Sequence, residues 1–163
     1  MYMMASISLF VTSKAKANIA QNRAFAGFIN TVYLNVDAVN NGNHLCIFGV
    51  DEISLQLRSV VKREWLKNIG EEVDPNSDYN ECRVIYIAKN KEKNAKHSVQ
   101  FFNDKGALTI ATFSGFVADG GMMNVSVGRR NFELTANEMK IKKSGVKIDF
   151  NVSFLYIITA INM

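Results

Sequence analysis

Three segments of the chain hold the residue types that bind polyanions. Lys89, Lys91, Lys93 and Lys96 precede Phe101 and Phe102, Arg129 and Arg130 precede Phe132, and Lys140, Lys142, Lys143 and Lys147 lie near the C-terminus. Single-stranded nucleic acid is held by cations along its phosphates and by aromatic faces on which bases stack. This pattern points to a non-enzymatic protein that binds single-stranded DNA or RNA. The candidate contacts are Lys89, Lys91, Lys93, Lys96, Phe102, Arg129, Arg130, Lys140, Lys142 and Lys147. Phe101 and Phe102 point to opposite faces if extended, so at least one belongs in the core.

Other chemistry is sparser. Asp119 followed by Glu138-Met139-Lys140 has the Asp…Glu-x-Lys order of some metal-dependent nucleases, in which carboxylates hold a cation and the lysine assists the attacking water. His44 and His97 are the only histidines, and neither has a histidine or cysteine at metal-ligand spacing. A Cys46–His97 or Cys82–His44 pair could supply a nucleophile and base only if the fold joined them. No phosphate-binding glycine motif is present. No cofactor and no metal are therefore expected, and an enzyme is the less favoured reading. The alternative to nucleic-acid binding is a small protein-interaction module, an inhibitor or a self-assembling subunit. It would use exposed β edges and the apolar end Leu155 to Met163.

Charge agrees with a polyanion partner. Residues 1–70 carry seven basic and four acidic groups, residues 71–81 five acidic groups and no basic one, and residues 82–163 twelve basic and six acidic groups. The basic surplus thus lies in the C-terminal half, and the acidic block around Pro75 reads as an exposed loop. With 163 residues and 48% apolar composition, the chain is expected to form a single domain spanning 1–163. No apolar run approaches the roughly 20 residues of a membrane span. Ile7 to Val11 is too short for a signal-peptide core and no charged segment precedes it. Cys46 and Cys82 sit in apolar runs without a C-x-x-C, so free buried thiols in the cytoplasm are expected.

The elements that would position these residues read as mostly β. Met139 to Phe154 alternates apolar and polar residues across Ser144-Gly145, as an antiparallel hairpin would. In that register Lys142 opposes Lys147, a like-charge pair that costs stability unless an anion binds there. Further strands are read at 5–12, 28–39, 45–50, 83–88, 98–103, 107–116, 122–127 and 132–135. Asn40-Asn41-Gly42-Asn43 reads as a hairpin turn, and Gly120-Gly121 as another turn. One helix is expected near residues 59–69, with 52–58 either helix or strand and Asp51 a candidate cap. The expectation is a mainly β (α+β) fold: an antiparallel β-barrel or sandwich of about ten short strands, with an OB-like barrel as one form of it.

Overall fold

The computed structural model of the chain describes residues 5–37, 42–128, 132–149 and 158–160, with side chains from residue 15 to 149 within those ranges. The architecture is α/β. Among the described residues there are four α-helices, a two-stranded sheet and a seven-stranded mixed sheet, and no closed barrel. The barrel or sandwich expectation is therefore corrected.

The first helix, α1 (Ala5–Leu34), spans the strand read at 5–12 and most of the one read at 28–39. Val32, Leu34 and Val36 do alternate with polar residues. The buried set is nevertheless Phe25, Ala26, Ile29, Val32 and Tyr33, spaced as one face of a helix. Leu34, required inside by a strand, is 54% exposed.

β1 (Val36–Asp37) pairs antiparallel with β8 (Lys147–Ile148). The large sheet contains β2 (His44–Phe48), β3 (Leu66–Asn68), β4 (Cys82–Ile87), β5 (Leu108–Ala111), β6 (Met123–Val127), β7 (Phe132–Ala136) and β9 (Ile158–Ala160). Their order is β3-β2-β4-β5-β6-β7-β9. Pairing is parallel from β3 through β6, antiparallel between β6 and β7, and parallel between β7 and β9. Parallel neighbours need crossovers, and helices supply two of them. α2 (Glu52–Val60) links β2 to β3, and α3 (Ala95–Asp104) links β4 to β5. The strand read at 98–103 is in fact this second crossover. Ser98, Val99 and Phe102 are buried at helical spacing.

The sheet has an apolar layer on each face. Leu45, Ile47, Val84, Tyr86, Leu108 and Ile110 pack with α1 and α2. Cys46, Phe48, Ile85, Ile87 and Ala111 pack with α3. Burial on both faces explains why these strands read as near-continuous apolar runs.

The helix expected at 59–69 lies earlier, at Glu52–Val60. Asp51 caps it with a reciprocal capping box, in which its side chain accepts from Ser54 N–H and the Ser54 hydroxyl accepts from Asp51 N–H. Arg63–Trp65 then makes a short 3₁₀ turn into β3.

The C-terminal hairpin is also overturned. Glu138–Ser144 is a helix, α4, capped by Asn137, whose side chain accepts from Lys140 N–H at 3.0 Å. Gly145 ends it at φ 77°, so Ser144-Gly145 is a helix stop. Met139, assigned to the buried face of the hairpin, is 57% exposed. Lys142 and Lys147 are not cross-strand partners, for Lys147 stands opposite Asp37. The like-charge pairing is thus replaced by an opposite-charge register. Asn40 and Asn41 lie outside the described residues, as do Phe150 to Ile157. β2 pairs with β3 and β4, not with β1, so no β1–β2 hairpin forms.

Candidate functional site

In doubly wound sheets, ligand crevices open where successive connections leave in opposite directions, beyond the carboxyl ends of the strands. Here that point lies between β2 and β4, because the chain moves from β2 to β3 on one side and from β4 to β5 on the other. Asp51 occupies it. One carboxylate oxygen accepts from Ser54 N–H at 2.7 Å. The other accepts from the Tyr86 hydroxyl at 2.7 Å and from Lys89 N–H at 2.7 Å. The carboxylate ties the ends of two central strands to the start of α2. Burial, followed by the nearby Asp51 charge, holds the Tyr86 hydroxyl well above its ordinary pKa.

The basic candidates do not form one surface. Lys89, Lys91 and Lys93 lie on a 3₁₀ segment, Lys89–Asn94, and Lys96 on α3. Lys91 is engaged by Glu71 at 3.0 Å, and its ammonium lies 5.8 Å from the Phe48 ring centroid. Phe102 is fully buried and packs edge-on against Phe48 and Tyr79, at centroid distances of 5.1 and 5.3 Å. It has no face to offer a base. Lys140 and Lys142 lie on α4, and Lys147 on β8. Lys96 and Lys140 line a common cleft, whereas Lys89, Lys93, Lys142 and Lys147 are exposed and do not line it. Arg129 and Arg130 lie outside the described residues.

The nuclease arrangement fares no better. The Lys140 ammonium donates to the Gly120 carbonyl at 3.0 Å. Among the described residues, no group of three or more His, Cys, Asp or Glu could hold a metal ion. The cleft itself was not legible in the sequence. It is bounded by α3 and α4, both read as strands, and only helical spacing places Lys96 with Asn103.

The two cysteines are the clearest covalent feature. Cys46 and Cys82 form a disulfide across β2 and β4, with a Cα–Cα distance of 5.6 Å. Both are fully buried. The free-thiol expectation is corrected, and with it any Cys–His nucleophile. Sequence separation of 36 residues concealed the pair. Parallel pairing places Cys82 beside His44 and Cys46 beside Ile85, with a register shift between His44 and Leu45, and the bridge runs diagonally between the two strands. Such bridges persist in oxidising compartments.

A family model described as YfiR/HmsC-like matches residues 15–153. No curated protein matches the chain. The family consists of periplasmic regulatory proteins that act on protein partners. That finding overturns the nucleic-acid-binding expectation in favour of its alternative, the protein-interaction module. It also overturns the cytoplasmic expectation, and the Cys46–Cys82 disulfide points the same way. Because the match covers most of the sequence, the chain belongs to the YfiR/HmsC-like family.

Proposed function

We propose that this protein is a periplasmic regulator that controls a diguanylate cyclase by binding it directly. Membership in the YfiR/HmsC-like family carries the reading, since proteins of that family are periplasmic regulators of a diguanylate cyclase and interact with a protein partner, YfiN. The buried disulfide supports it, because a cross-linked sheet suits an oxidising compartment. A cyclase consumes GTP, a cytoplasmic nucleotide. A periplasmic regulator can therefore bind it directly only where the cyclase itself extends into the periplasm. The short strand β3 ends the large sheet, and among the described residues no strand pairs with its outer edge. Such an edge suits docking by strand addition.

The oxidised protein should bind the periplasmic portion of the cyclase from the same cell with a Kd of about 1 μM or tighter, roughly −8 kcal/mol. Its deletion should change cellular cyclic di-GMP. If no complex forms and cyclic di-GMP is unaltered, the proposal is wrong.

A further inference from the structure

We propose that the cleft between α3 and α4 binds a small acidic sugar, a polyhydroxylated molecule bearing a carboxylate or phosphate group. The cleft is open to solvent and has a volume of about 740 Å³, within the usual size of small-molecule sites. Lys96, Gln100 and Asn103 project into it from one face of α3, at spacings of four and three residues. Lys140 and Lys143 line it from α4, again three residues apart, and Lys105 lies just past the end of α3. Four lysines from separate parts of the chain thus face two aspartates, Asp104 and Asp119, leaving a net positive cleft. The surplus selects an anion. The aspartates and the Gln100 amide ask for more than a bare ion, because they bond best to a ligand with hydroxyl groups of its own.

One wall of the cleft is fixed before any ligand arrives. The Gly120 carbonyl accepts from Asn103 Nδ2 at 2.9 Å and from Lys140 Nζ at 3.0 Å. Asn103 Oδ1 in turn accepts from the fully buried Thr109 hydroxyl at 2.9 Å, and that oxygen accepts from Met122 N–H at 3.2 Å. An ammonium has three donors, so Lys140 keeps hydrogens for a ligand while Gly120 anchors it. Gly120 is at φ +107°, a backbone conformation that favours glycine. Preorganised donors of this kind bind with little ordering cost.

The proposal is independent of the cyclase reading, and its test needs only the oxidised full chain. Amide chemical shifts are followed by NMR during titration with glucuronate, glucose 6-phosphate, glucose and inorganic phosphate at low ionic strength. Saturable shifts centred on Gly106, Gly120 and Ser144 are expected with glucuronate or glucose 6-phosphate, and none with glucose. The arm that binds more tightly identifies the acid group. The double substitution Lys96→Gln with Lys143→Gln should weaken binding about tenfold or more. The idea is overturned if neither acidic sugar gives saturable shifts by roughly 10 mM, a limit for weak specific sites. It is equally overturned if the shifts map elsewhere, if inorganic phosphate binds as tightly as glucose 6-phosphate, or if the double variant binds as the parent does. Should that variant fail to fold, the shift map of the unsubstituted protein decides alone.

Discussion

The Tyr86 hydroxyl donates to the Asp51 carboxylate at 2.7 Å, joining β4 to the residue that caps α2. Tyr86 is fully buried, so its hydroxyl has no water to fall back on if Asp51 is removed. Asp51→Ala deletes the cap and leaves that hydroxyl only the Thr112 hydroxyl, at 3.4 Å, and should cost about 2–4 kcal/mol in urea unfolding. Tyr86→Phe removes the donor but leaves Asp51 its two backbone partners, and should cost about 1 kcal/mol. Equal losses for the two variants would show that the carboxylate is not the hub.

The same pair predicts a pH dependence. Tyr86 in the folded state has a pKa raised well above 10.0, chiefly by burial and then by the Asp51 charge. Between the unfolded and folded values the unfolded chain has released its proton and the folded one has not. Stability is therefore complete below pH 10 and falls as pH rises above it. Tyr86→Phe should flatten that alkaline decline, as read from melting temperatures measured between pH 8 and 11. A decline of the same steepness in both proteins would assign it to other groups.

Loss of the Cys46–Cys82 bridge should be costly. Closing a loop across 36 positions corresponds to about 4 kcal/mol on the chain-entropy model. Cys46→Ala with Cys82→Ala should lower stability by that order. Because both sulfurs are buried, dithiothreitol should reduce the native protein slowly and the urea-unfolded protein quickly. Thiol titration over time checks this, and rapid reduction without denaturant would contradict the burial.

Phe102 and the nearby lysines, grouped together by the sequence pattern, should separate by mutation. Phe102→Ala opens the core beneath α3 and should cost about 3–5 kcal/mol. Lys89→Gln and Lys93→Gln alter exposed side chains and should stay within about 0.5 kcal/mol of the parent. Thermal melts of the three variants distinguish a core aromatic from a surface one.

Both ends of α4 are set by single residues. Asn137→Ala removes the side-chain acceptor for Lys140 N–H and should cost about 1 kcal/mol. Gly145→Ala forces a Cβ into φ 77° and should cost about 1–2 kcal/mol. Amide hydrogen exchange in residues 138–144 should accelerate in both variants. Unchanged exchange would place the stability of α4 in tertiary packing alone.

Much of the central sheet was readable from the sequence. The strands read at 45–50, 83–88, 122–127 and 132–135 overlap β2, β4, β6 and β7, and Asp51 was recognisable as a helix cap. Short β-rich apolar runs bounded by turn residues carry their own signal. The helices were less readable, for a definite reason. Over residues 28–36 an alternating pattern and a helical one fit the same apolar residues, whereas in α4 Met139 and Ile141 stand two apart and by themselves point to a strand. In α1 the choice is made by packing of Phe25, Ile29 and Val32 on strands distant in sequence. In α4 it is made by Asn137 and Gly145. Misreading α3 removed a crossover, which turned a parallel sheet into an antiparallel one and hid the cleft. Basic residues were visible as types, but their grouping depends on helix faces. Among the described residues, Lys96 and Lys140 are the proposed contacts that line the cleft between α3 and α4.

The Cys46–Cys82 bridge also bears on how the chain finds its fold. β2 and β4 are central neighbours, yet α2, β3 and the acidic loop lie between them along the chain. Pairings of such high sequence separation slow folding, because the ordering entropy is lost before the contacts form. Once oxidised, the chain carries that closure as a covalent tether. Every later attempt at refolding begins with the middle of the sheet already in reach, so the oxidised protein should refold from urea faster than its reduced counterpart.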